Sequence, residues 1–387
     1  MRLFVGGYSA DMDGRAAGIG VLRAGDGEST LAGTALTVGP DAVAVEGSPS
    51  WLAWHPTLDV VYAALEGDGA VRAFRRTGPE SFVALGAPVA VGELPCHLAV
   101  EPGGRWLIAS CWGDGRVVRV ALDEAGAPTR AVSGEGLSTA HSDSGMDAGD
   151  LRALLASLGG GPSDEALREA GVGGASPDPS DDRPSRAHQA RFLPGGVVVT
   201  TDMGRDEIRI WRATTAGLRE VERVTLPRGT GPRHTVWHPS GHLFVVTELS
   251  LELFVLAPPL SGDRGWRIVG GVPLSPAAEA GRDFASEIAL SREAEFVYVG
   301  IRGANTIATL RVRGTGSELA PVALVDAGVD WPRHHVVVRD TLLVAGQKSD
   351  DAASLTLDLR TGVPGRVRQR VDLPSPTVLL PDRAARA

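Results

Sequence analysis

The sequence predicts an all-β chain closed into a ring: a seven-bladed β-propeller with four-stranded antiparallel blades. Three observations predict it. A pattern of apolar strand, turn, second apolar strand, polar or glycine turn and third strand recurs along the chain. Its corresponding turns fall at multiples of roughly 45 residues, near the length of one blade. The two ends carry strands that have no blade of their own, and pairing them hides edges that an open array would expose.

The copies run in order. They read SPSWLAWHPTLDVVYAALEGDGAVRAF from Ser48, LPCHLAVEPGGRWLIASCWGDGRVVRVAL from Leu94, and SRAHQARFLPGGVVVTTDMGRDEIRIW from Ser185. Next come GPRHTVWHPSGHLFVVTELSLELFVL from Gly231, FASEIALSREAEFVYVGIRGANTIATLRV from Phe284 and WPRHHVVVRDTLLVAGQKSDDAASLTLDL from Trp331. Short runs rich in Val, Leu and Trp between Gly, Pro and Asp turns are strands, not helices. The seventh blade is split between the amino-terminal LFVGGYS and GIGVLRA and the carboxy-terminal PSPTVLL. His55-Pro56, Glu101-Pro102 and His238-Pro239 mark equivalent turns, and their histidines read as turn residues.

Residues 134–184 interrupt the repeat by about one blade length. Asp150 to Leu158 and Ser163 to Ala170 have helical composition, and the rest is Gly, Ser, Pro and Asp. The segment reads as an insertion in a single domain spanning 1–387, either a solvated linker or a lid.

The formal charge of −9 and the absence of a Lys/Arg-rich run exclude nucleic acid as the expected partner. A few arginines in one cleft still suit a small anion. Cys96 and Cys111, the only cysteines, read as small core residues. Without a signal-like apolar run near Met1 or a stretch of roughly 20 apolar residues, the expectation is a cytoplasmic protein that does not engage a membrane. A closed ring is expected to be stable as a monomer. The sequence has no HExxH, no GxSxG and no complete P-loop, and no spacing suggests a metal site, so no cofactor is expected.

Equivalent strand starts and turns of a propeller converge at the mouth of its central channel. His188, Arg233, His234, Glu248, Glu287, Arg302, Arg333 and Gln347 occupy such positions. A scaffold would fill them with Ser, Thr or apolar residues at lower desolvation cost. The plainer reading makes Glu248 and Glu287 structural partners of Arg233 and Arg302, and makes His97, His234 and His335 satisfied strand histidines.

The ordered strings GPRH, HP, TEL, SEI, FVYV, RG and AGQKS resemble bacterial 6-phosphogluconolactonases of the propeller type and the related carboxymuconate cyclases. The resemblance runs from VGGY to the last strand and fails over the insertion. It implies an active constellation of His188, Arg233, Glu248 and Arg302. Arg186 stands where the family often has a further histidine, and Trp112-Gly113-Asp114 replaces an Asn-Tyr turn.

Opening a lactone needs a base for water and donors for the developing oxyanion. Glu248 is the expected base, with His188 its partner or alternate. Arg233 and Arg302 suit the oxyanion or an anionic substituent, while His234, Glu287, Arg333 and Gln347 are expected to bind the substrate. The resemblance implies hydrolysis of a small anionic sugar-acid lactone, 6-phospho-D-glucono-1,5-lactone in the pentose phosphate pathway. A muconate-type cyclase and a binding propeller without catalysis are the alternatives.

Overall fold

The computed structural model describes residues 1–25, 33–137, 183–260 and 265–383. The expected helical portions of the 134–184 insertion lie outside the described residues.

Seven antiparallel sheets stand around one axis. Blade one is Pro376–Pro381, Arg2–Gly7, Gly18–Ala24 and Leu36–Val38, with a short fifth strand, Val43–Ala44, added against Gly18–Ala24. Blades two to seven occupy 49–90, 95–133, 187–225, 232–273, 284–326 and 332–372, each four strands in sequential order. The fourth strand of each is the outermost, more exposed one. The innermost strands are Pro49–Trp54, Pro95–Val100, Ala187–Phe192, Pro232–Trp237, Phe284–Leu290, Pro332–Val338 and Pro376–Pro381, and each touches the next around the full circle.

The second strand of a blade is covered on both faces, and its sequence reflects that: VVYAAL, WLIASC and FVYVGIR are buried throughout. Successive side chains along a strand point to opposite neighbours. Leu243 and Val245 therefore pack towards blade four, while Phe244 and Val246 pack towards blade six. Seven apolar clusters result, one in each gap between adjacent blades. The His-Pro turns staple this packing. His55 Nδ1 accepts from the amide of Leu58 at 2.9 Å, which leaves Nε2–H to donate to Gly104 O of blade three, also at 2.9 Å. His238 repeats the reach, from blade five to Ala294 O of blade six, at 2.9 Å.

Pairing of the chain ends closes the ring. Leu3 to Gly6 pair with Pro381 to Val378. Asp382 then takes Arg2 at 2.9 Å and Arg76 at 2.7 Å, while Thr377 Oγ1 donates to Ser50 O at 2.8 Å. Cys96 and Cys111 are both buried and unbridged. Among the described residues, no helix is long and apolar enough to cross a membrane.

Candidate active site at the channel mouth

Five of the seven inner strands begin with Pro, one with Ala and one with Phe, and each carries a pairing irregularity near its start. The register slips at Pro49/Trp51, Ala187/Ala190, Pro232/His234, Ala285/Ile288 and Pro332/His334, and equivalently opposite Pro95 and Pro376. Bulges re-aim side chains and favour sites of function. In five blades the residue just before the proline is left-handed: Ser48, Leu94, Gly231, Trp331 and Ser375, with φ between 39° and 63°. Four of these are not glycine, so local strain gathers at one end of the ring.

Three rings of side chains follow from this repeated entry. The bulged position supplies Ser50, Cys96, His188, Arg233, Ser286, Arg333 and Thr377. The next residue supplies Trp51, His97, Gln189, His234, Glu287, His334 and Val378. The last residue of the second strand in blade six, and the first residue after it in the other blades, supply Tyr8, Glu66, Trp112, Met203, Glu248, Arg302 and Gln347. All eight candidate residues from the sequence stand on these rings.

The groupings on these rings cross blades. Glu248 Oε2 lies 2.9 Å from Arg233 Nε and 2.7 Å from Arg302 Nη2, an ion-paired trio in which each arginine is only 3–5% exposed. Arg233 Nη1 also donates to Ser286 O at 2.7 Å, and Arg302 Nη2 to Ala285 O at 3.0 Å. The Arg302 guanidinium sits 5.8 Å from the Phe284 ring centre and 5.4 Å from that of Trp331, which fixes its plane. Burial raises the Glu248 carboxyl, but Arg302 and Arg233 outweigh it and hold the group below the usual carboxylate range. Burial lowers Arg302 to about 10, so it keeps its charge at neutral pH.

Deeper in the channel, Glu287 Oε2 lies 3.0 Å from His234 Nδ1 and 3.3 Å from His334 Nε2, while its Oε1 accepts from the Ile288 amide at 3.0 Å. Of the readings open for Glu287, this arrangement replaces the ion pair with an arginine by contacts to two imidazoles. The bulge carries Arg233 toward Glu248 and leaves the next residue, His234, to meet Glu287. Burial, against the pull of Glu287, brings His234 down to about 4. His188 is driven well below the ordinary imidazole range by burial and then by Arg233. It is therefore neutral, its Nδ1 has no hydrogen-bond partner, and its ring centre is 5.0 Å from that of His234. His97 lies in the same cluster, its ring 4.2 Å from Trp51. His335 Nε2 instead meets Tyr298 O at 3.2 Å, as a strand histidine does.

Arg333 completes the mouth. It reaches Gln347 Oε1 at 3.2 Å and Tyr8 Oη at 2.6 Å. Arg186 points elsewhere: its guanidinium lies 4.5 Å from the Trp112 ring centre and donates to Trp112 O at 3.1 Å. The two departures from the family pattern thus pack on each other. Sequence reasoning missed Tyr8, Glu66, Trp51 and His334, although Glu66 in ALEG and Tyr8 in VGGY hold the same repeat position as Glu248 in VTEL. Among the described residues no three His, Cys, Asp or Glu side chains are placed to hold a metal ion.

The whole ring, with this mouth, has relatives. Residues 2–381 match the family model described as lactonase, 7-bladed beta-propeller. The 6-phosphogluconolactonase of Bacillus subtilis strain 168 is 25% identical over 347 residues, covering 87% of this chain and 88% of its own. Two solved structures share the fold over 98% of both chains, each with a TM-score of 0.76. One is a Lactobacillus plantarum protein, 23% identical, and the other is the periplasmic gluconolactonase of Pseudomonas aeruginosa, 22% identical. With the family model matching nearly the whole chain, the protein belongs to the seven-bladed β-propeller lactonases.

Proposed function

We propose that this lactonase hydrolyses a sugar-acid lactone, 6-phospho-D-glucono-1,5-lactone, to 6-phosphogluconate as a step of the cytoplasmic pentose phosphate pathway, acting as a single chain. The observation that carries the reading is the gathering of two buried arginines, Arg233 and Arg302, on one carboxylate, with the half-buried Arg333 at the same mouth and an unpartnered neutral imidazole beside them. Such a mouth has cationic donors to spare for a substrate anion and for the oxyanion of a tetrahedral intermediate. The name of the Bacillus relative points to the same substrate.

Glu248 was the first expectation for the base, but a carboxylate shared by two guanidinium groups is a weak one, and its role is to fix Arg233 and Arg302. His188 takes the proton from water through Nδ1. Its low basicity has a remedy in the substrate: a bound phosphate offsets the Arg233 charge that, after burial, most depresses the imidazole. Arg302 then meets the carbonyl oxygen as charge develops on it, while Arg333 and Gln347 hold the sugar.

The test compares hydrolysis of freshly generated 6-phosphogluconolactone with its spontaneous rate, for wild type, His188→Gln and Arg233→Ala. His188→Gln is expected to lower kcat by about 10²–10⁴-fold, and Arg233→Ala to raise KM as well. A wild type that does not accelerate the reaction rejects this substrate, and a fully active His188→Gln rejects the base.

A further inference from the structure

Across the mouth from Glu248 stands a second carboxyl group at the equivalent position of blade two, Glu66. It is 6% exposed, and its Oε2 has no hydrogen-bond partner. Its Oε1 is engaged by a chain whose polarity can be read atom by atom. Arg333 Nη2 can only donate, so at 2.6 Å it uses a lone pair of Tyr8 Oη, and the single tyrosine proton is left to donate to Glu66 Oε1 at 3.2 Å. Oε1 is therefore an acceptor, and any proton the carboxyl carries sits on Oε2. Ser50 Oγ, from the same blade, is buried and faces this carboxyl. A buried carboxyl oxygen with no more than a serine hydroxyl beside it keeps capacity for an atom of a ligand.

The two carboxyls differ in charge partners. Glu248 lies against two guanidinium groups, whereas Glu66 makes no ion pair among the described residues and is faced by Tyr8, Arg333, Ser50, Arg233 and Cys96. Burial raises Glu66 above the ordinary range despite Arg333. Carboxyls pushed apart in this way divide acid and base duties within one site.

We propose that Glu66 is the proton donor to the departing ring oxygen, giving up the proton on Oε2 as the lactone opens. The assignment rests on the lactone-opening reading above and adds its missing acid. Water adds to the carbonyl carbon and its proton passes to His188. The bond from that carbon to the ring oxygen then breaks, the electron pair stays on the oxygen, and the Glu66 proton joins it. Glu66 regains a proton from solvent as His188 returns its own.

The experiment is the pH dependence of kcat for 6-phosphogluconolactone, above the spontaneous rate, in wild type, Glu66→Gln and Tyr8→Phe. Wild type is expected to lose activity on the alkaline side as Glu66 ionises. Glu66→Gln is expected to be about 10²-fold slower at neutral pH and to lack that limb. Tyr8→Phe removes the hydrogen bond that favours the ionised carboxyl, so the limb moves to higher pH, and this variant serves if Glu66→Gln does not fold. A Glu66→Gln enzyme within twofold of wild type, or an alkaline limb unmoved in both variants, overturns the proposal. A wild type with no activity on the lactone overturns the underlying reading, and is distinguished by the absence of any limb to compare.

Discussion

Lowering the pH from 7 to 5 should weaken the folded ring through its buried imidazoles. His234 and His335 are each about 2% exposed, and burial holds each to about 4. In the unfolded chain they titrate near the ordinary value of about 6.5. Below that value the unfolded state binds protons that the folded state refuses. The stabilisation present above pH ~6.5 is therefore lost as pH falls toward ~4. One pH unit of such a mismatch is worth about 1.4 kcal/mol, so at pH 5 each histidine has withdrawn about 2 kcal/mol and the pair about 4. His97, His188 and His334 are shifted in the same direction and add to the loss. Against a typical total of about 5–15 kcal/mol the effect is large. Urea unfolding at pH 7, 6 and 5 measures it, and His335→Gln isolates one contribution, because its pH slope should flatten by about 2 kcal/mol over that range. Equal stability at pH 7 and 5, or proton release on acid unfolding, would refute the reasoning.

Two further substitutions probe the mouth and the closure. Glu248→Gln leaves Arg233 and Arg302 buried without their carboxylate and should cost about 3–5 kcal/mol. Added phosphate should recover more of that loss than it adds to wild type, as read by thermal unfolding. Gly6→Ala places a Cβ 2.3 Å from Pro49 O and 2.7 Å from Val378 at the seam of blade one. Overpacking there should cost about 1–3 kcal/mol in a urea titration, more if the seam cannot shift.

The blades were legible because each second strand must be apolar on both faces, a demand that writes runs such as VVYAAL and LFVVT into the chain. Blade one was legible only by elimination, since its strands lie at opposite ends of the sequence. The fifth strand, Val43–Ala44, is two residues long and left no pattern to read. The site was legible where a charged residue interrupted an apolar repeat, as at Arg233, Glu248 and Arg302. What the sequence hid was the bulge. A strict alternation assigns Arg233 and His234 to opposite faces, whereas the slip at Pro232 lets the first meet Glu248 and the second meet Glu287. For that reason Glu287 found imidazoles instead of a guanidinium. Glu66 and Tyr8 were readable by the same equivalence that picked out Glu248, had the comparison been carried through every blade.

Joining the first strands to the last has a consequence in time. Arg2–Gly7 leaves the ribosome long before Pro376–Pro381, its partner on the inner side, has been made. At about 5–20 residues per second the wait is about 20–75 s. For that period the inner edge of blade one is unpaired, and Tyr8 has no Arg333 to meet until blade seven emerges. Nascent chains of this lactonase therefore carry an open strand edge of the kind that seeds misassembly, and the mouth can work only once the whole ring has been synthesised and shut.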